Sequence, residues 1–146
     1  MDLPFVVFTV MRVDLAVRAA AVTSVSALES HTPLPGAPPH ILGLVANGDR
    51  IVALIDLAGF LELPAVDDPN DDPLFHRTVF VRAGDMEAGL LCNRARGLRL
   101  IDADQLREPR VLQGSRLAPF LDSELDGDKI VGVLNLPALL QAAAVL

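Results

Sequence analysis

The stretch Gly127-Asp128-Lys129-Ile130-Val131-Gly132-Val133-Leu134-Asn135-Leu136-Pro137-Ala138-Leu139-Leu140 restates an earlier one, Gly48-Asp49-Arg50-Ile51-Val52-Ala53-Leu54-Ile55-Asp56-Leu57-Ala58-Gly59-Phe60-Leu61. Gly, Asp, Ile, Val and two Leu positions are identical, and Arg/Lys, Leu/Val, Ile/Leu and Asp/Asn exchange like for like. Each copy reads as a turn, a buried strand and a short helix, with Asp56 placed to cap the first helix through its carboxylate. A unit this small buries too little apolar surface to stand alone, so two copies imply two lobes packed together. Closing each lobe into a barrel would also remove exposed strand edges.

Working outward, strand signals fill the rest of the chain. Phe5 to Val10 is a nearly continuous apolar run, and Val13, Leu15 and Val17 then alternate with Asp14, Ala16 and Arg18. Ile41 to Val45 and Ile51 to Ile55 flank Asn47-Gly48, the pair expected to supply positive φ in a tight hairpin. A second hairpin, Thr78 to Arg82 and Ala88 to Cys92, turns at Gly84-Asp85, and Leu98 to Ile101 gives one more strand. Thr32 to Pro39 carries four prolines and runs outside the sheets, while the acidic, proline-rich Pro64 to Pro73 reads as a solvated linker. The expected organisation is mainly β: a first barrel lobe at 5–63, a linker at 64–76, a second lobe at 77–136, and a helix at 137–146 able to complete the first lobe.

Composition narrows the function classes. The chain has 146 residues with no Trp or Tyr, which disfavours stacking platforms for single-stranded nucleic acid. Its net charge of -7 disfavours phosphate backbones and anionic lipid surfaces, and Arg94, Arg96 and Arg99 read as the solvated side of a strand. No run reaches membrane-spanning length, and no secretory signal opens the chain. The single cysteine, Cys92, lies in an apolar run as a small core residue, which fits a reducing cytoplasm.

No motif for chemistry stands out. His31, His40 and His76 lack Cys or carboxylate partners at ligand spacing. The Asp67 to Asp72 cluster has neither the glycine nor the closing glutamate of a calcium loop. Gln113-Gly114-Ser115-Arg116-Leu117 lacks the second glycine of a nucleophile elbow, and Asp122 and Glu124 read as surface charges. Neither a catalytic residue nor a cofactor or metal site is therefore expected.

Leu34-Pro35-Gly36-Ala37-Pro38 leading into Ile41-Leu42-Gly43-Leu44, then Ile51 to Leu57, Gly89-Leu90-Leu91-Cys92-Asn93 and the closing Ile130 to Leu140, resembles the CheW-like coupling proteins of bacterial chemosensory arrays. The resemblance covers almost the whole chain. It implies two SH3-like barrels and a non-catalytic adaptor that links chemoreceptor signalling tips to the regulatory domain of a histidine kinase. It also implies an apolar receptor groove between the barrels, at positions matching Val22, Val25, Val79, Gly89, Ala95 and Leu98. By residue type alone, Val22, Val25, Val79 and Leu98 serve equally well as barrel core.

Departures from the family pattern fall at the coupling positions. Ala46, Asn47, Gly48 and Asp49 stand where an Asn-Leu-Arg-Gly hairpin is common, Ser24 replaces an acidic residue, and Asn93 replaces an Asp. Phe120-Leu121-Asp122-Ser123 stands for a Tyr-x-x-Gly pattern. The resulting expectation is a cytoplasmic adaptor, recruited to receptor clusters, that binds receptors with weakened or lost kinase coupling. The alternatives are an ordinary coupling protein and, in another class, a small-molecule sensor or enzyme using the apolar inter-lobe cleft near Cys92.

Overall fold

In a computed structural model, residues 1–28, 30–110 and 115–143 are described. Their elements are β1 (Asp2–Val10), β2 (Val13–Arg18), β3 (Val22–Ala27), β4 (Ile41–Asn47), β5 (Arg50–Asp56), α1 (Leu57–Phe60), β6 (Arg77–Ala83), β7 (Met86–Cys92), β8 (Arg94–Asp102), β9 (Leu106–Arg107), β10 (Leu121–Leu125), β11 (Val131–Leu134) and α2 (Leu136–Ala142). The fold is mainly β, in two sheets that form the two SH3-like lobes.

The sheets do not divide at the linker, which corrects the expected lobe boundaries. One sheet has the order β8-β1-β2-β11-β10-β9 and the other β3-β6-β7-β5-β4. Each half of the sequence therefore gives its opening hairpin, β1-β2 or β6-β7, to the lobe that the other half completes. The joint is parallel in both cases: β5 lies beside β7, and β11 beside β2. A hairpin cannot make a parallel neighbour, because two residues only reverse the chain. The repeated strand thus finds its parallel partner in the opposite half.

The correspondence extends to irregularities. Register shifts fall between Val22 and Ser24 on β3 and between Val7 and Phe8, opposite Ala95 and Gly97 on β8. A second equivalent pair falls between Ile41 and Gly43 and between Leu121 and Ser123. Bulges of this kind bend and twist a sheet toward closure, so their repetition curls both lobes alike.

Three apolar clusters follow. Phe5, Val7, Ala16, Ile101, Leu125, Val131 and Val133 fill the six-stranded lobe. Val45, Val52, Leu54 and Phe80 fill the five-stranded one. The largest cluster lies between the sheets, where Phe8, Val10, Leu15 and Val17 meet Ile55, Val79, Val81 and Leu90. Both short helices seal it: α1 through Leu57 and the following Leu61, α2 through Leu136, Leu139 and Leu140. The C-terminal segment thus packs between the lobes, as its apolar periphery predicts; the expected helix residues 144–146 lie outside the described residues.

Two turns differ from the sequence reading. The β4-β5 turn is Gly48-Asp49, with positive φ only at Gly48 (64°), and Asn47 is the last strand residue, paired with Arg50. The β1-β2 turn places Met11 and Arg12 at φ 47° and 68° without a glycine. Left-handed backbone is unfavourable for such side chains, and tertiary bonds offset the cost. The Met11 amide donates to Asn93 Oδ1 at 2.9 Å, and Arg12 donates to the Asp67 carbonyl at 3.2 Å. The segment expected as a free linker is accordingly tied down. Asp68 faces Arg12 at 3.7 Å, and Asp71 accepts from His76 at 2.9 Å and from Asn93 at 3.2 Å.

Candidate functional site

The edge strands β3 and β8 are the equivalent outermost strands of the two sheets, and their residues correspond through their partners. Val22 opposes Val81 and Val25 opposes Val79 on β6, while Ala95 opposes Phe8 and Leu98 opposes Val6 on β1. Val81, Val79 and Phe8 belong to the cluster between the sheets, and Val6 packs against it. Directly opposed residues share a sheet face. Val22, Val25, Ala95 and Leu98 therefore all lie on the faces that the two sheets turn toward each other, at the open margin of the inter-lobe core.

Exposure sorts these candidates. Leu98 is 68% exposed and Val25 40%, whereas Val22 and Ala95 are half-buried. Val79 is wholly buried and belongs to the floor of the core, which corrects its assignment to a groove surface. Gly89 is also buried and lies on the other face of its sheet, opposite Phe80. A Cβ there would come within 2.7 Å of Thr78 Cγ2, so close packing inside the lobe explains the glycine. The structure adds Leu100, 63% exposed on the same face as Leu98. The alternation Leu98-Arg99-Leu100 carried that signal in the sequence.

Of the diverged coupling positions, Ser24 and Asn47 meet in an uncharged contact. Ser24 Oγ donates to Asn47 Oδ1 at 2.9 Å, and Asn47 Nδ2 donates to Thr23 Oγ1 at 3.0 Å. Because β3 and β4 are the two ends of their sheet, this clasp draws the barrel seam together. Ala46, Gly48 and Asp49 are exposed beside it. Arg50, the next residue after this turn, is held at 2.9 Å by Glu87, which also faces Arg82 at 3.6 Å. Asn93 is at the opposite end of the molecule's long hairpins. Its amide donates to the Thr9 carbonyl at 2.9 Å while its side chain bridges the β1-β2 turn and Asp71. Those bonds hold the Asp71 carboxyl below the ordinary carboxylate range, His76 contributing most and Asn93 next.

Other sequence readings also change. Glu124 is fully buried instead of a surface charge, 3.6 Å from Arg107, while Asp122 is exposed. His76 has a carboxylate partner in Asp71, and His40 Nε2 lies 3.0 Å from the Ala143 carbonyl with its ring 4.8 Å from that of Phe60. Among the described residues no group of three His, Cys, Asp or Glu could hold a metal ion. Residues 111–114 lie outside the described residues, and with them Gln113 and Gly114 of the Ser115 segment. Burial raises the Cys92 thiol to about 11, so it is a neutral core group and not a reactive one. No helix among the described residues is long and apolar enough to cross a membrane.

Two interleaved barrel lobes with an apolar margin between them match a known domain. Residues 4–144 match the family described as the CheW-like domain. The chain belongs to that family. CheW-like domains are non-catalytic scaffold and coupling modules of chemotaxis. The fold is similar to the crystal structure of the scaffolding protein TtCheW from Thermoanaerobacter tengcongensis, with a TM-score of 0.78 and 22% identity over 93% of this chain and 86% of that one. No curated protein matches the sequence.

Proposed function

We propose that this CheW-like protein is a cytoplasmic adaptor that receives an amphipathic helix of a chemoreceptor signalling tip between β3 and β8, and that it couples weakly to the histidine kinase. The observation that carries the reading is the apolar margin: Val25, Leu98 and Leu100 stand exposed on the sheet faces that border the inter-lobe core. Burying an exposed Leu side chain is worth about 1.5–3 kcal/mol, so two of them give a helix enough to dock. The weak kinase arm is supported by Ser24, bonded to Asn47 and standing where the family resemblance implies an acidic residue, by Gly48 where it implies the hairpin arginine, and by Arg50, which Glu87 already engages.

Capture of a purified receptor tip and of the kinase regulatory domain by the full chain tests both arms. Receptor capture is expected, weakened by about tenfold or more in Leu98→Asp, with little kinase capture. Strong capture of the kinase alone would overturn the proposal. Capture of both partners would make the protein an ordinary coupling adaptor and refute its weakened kinase arm.

A further inference from the structure

The repeat places Lys129 where the other half has Arg50, and the strand pairings place Asp14 where the other lobe has Glu87. In the five-stranded lobe the cation and the acid meet, Arg50 to Glu87 at 2.9 Å. In the six-stranded lobe they do not. Asp14, one methylene shorter, accepts the Thr9 hydroxyl at 2.7 Å, and Lys129 has no carboxylate within ion-pair distance among the described residues.

Two further cations converge on the same place. Arg96 is the extra residue of the β8 bulge, between Ala95 and Gly97, and the bulge throws its side chain toward Thr9. Its Nε donates to Thr9 Oγ1 at 2.9 Å, which fixes the guanidinium, and its two terminal nitrogens have no acceptor among the described residues. Arg94 stacks on Phe75, its guanidinium carbon 4.4 Å from the ring centroid, and has no carboxylate partner among the described residues. All three line one cleft of about 920 Å³. Of the acids beside them, Asp68 is paired with Arg12 and Asp71 is bonded by His76 and Asn93, while Asp14 keeps its charge but is turned to the Thr9 hydroxyl.

From this we infer that the cleft is a binding site for a small, multiply charged oxyanion, a phosphate ester or a polycarboxylate. A protein with seven excess negative charges has carboxylates to spare, yet around this one cavity three cations have no ion-pair partner among the described residues, two of them held in orientation by Thr9 and Phe75. The volume is that of a small-molecule site, and fixed guanidinium forks match the planar or tetrahedral oxygens of such ligands. The site is separate from the apolar margin at Val25, Leu98 and Leu100, so it adds a ligand to the adaptor without competing for the same side chains.

Calorimetric titration of the full chain with sodium pyrophosphate and, separately, with sodium citrate at constant ionic strength tests the inference. Saturable one-to-one binding of either probe is expected, and the stronger of the two identifies phosphate or carboxylate as the source. Lys129→Gln and Arg96→Gln should each weaken it about tenfold. Asp14→Glu, which copies the other lobe and lets the acid reach Lys129, should weaken it as well. Arg99→Gln, on an exposed cation outside the cleft, should leave it unchanged. Absence of saturable binding with both probes, or equal loss in Arg99→Gln, would overturn the inference.

Discussion

The two lobes solve one packing problem with different side chains at equivalent places. In the six-stranded lobe Val7 faces Ala16 across β1 and β2; in the five-stranded lobe Phe80 faces Gly89 across β6 and β7. A larger ring on one strand is matched by loss of the methyl group on the next, so the paired volume fits each lobe although neither residue matches its counterpart. The ends of the repeats diverge in the same spirit. Asp56 and Asn135 each accept the amide three residues on at 3.2 Å, yet α1 stops at Phe60 while α2 runs to Ala142. After α1, Leu63 donates to the Ala58 carbonyl and Glu62 to Gly59, with Glu62 at φ 51°, and Pro64 forbids another turn. Symmetry of plan therefore survives without symmetry of side chains.

The comparison breaks most readily in the core between the lobes. Leu61→Ala and Leu140→Ala remove equivalent, wholly buried side chains, and each should cost about 2–5 kcal/mol in urea unfolding. Nearly equal losses would support two repeats of equal weight; a loss confined to Leu140 would make α2 the dominant seal. Next in size, Gly89→Ala should cost about 1–3 kcal/mol, because the new methyl group meets Thr78 and Phe80. In a Phe80→Val background the same change should cost less, and additive losses in the double-mutant cycle would refute the volume exchange. The smallest effect is expected at the caps, where Asp56→Ala and Asn135→Ala should each cost about 1 kcal/mol. A distinctly smaller loss at Asp56 would mean that the short α1 depends on its C-terminal turn more than on its cap.

The apolar margin was legible only in part. Val25 and Leu98 were readable as apolar strand residues, but alternation along a strand tells which residues share a face and not which neighbour that face meets. Val79 and Val25 look alike in sequence; one is sealed under the opposite sheet and the other lies at its margin. Ser24 and Asn47, 23 residues apart, become one contact only because the barrel brings its end strands together. The cationic cleft was missed for a related reason. Arg94, Arg96 and Lys129 come from separate segments, and nothing local shows that Asp14 is engaged elsewhere.

The amino-acid sequence by itself determined most of the strands, the β4-β5 and β6-β7 hairpins, the Asp56 helix cap and the existence of a repeat, because each rests on alternation, turn chemistry or a side chain within a few residues, whereas β3, β9 and β10 left no such signal. Only the tertiary structure decided that each half lends its first hairpin to the other's lobe. Parallel pairing of β5 with β7 and of β11 with β2 joins segments far apart in the chain, and it leaves no mark on local sequence. The same long-range pairing selects which apolar faces close into core, which remain exposed at its margin, and which charges among the described residues find an ion-pair partner.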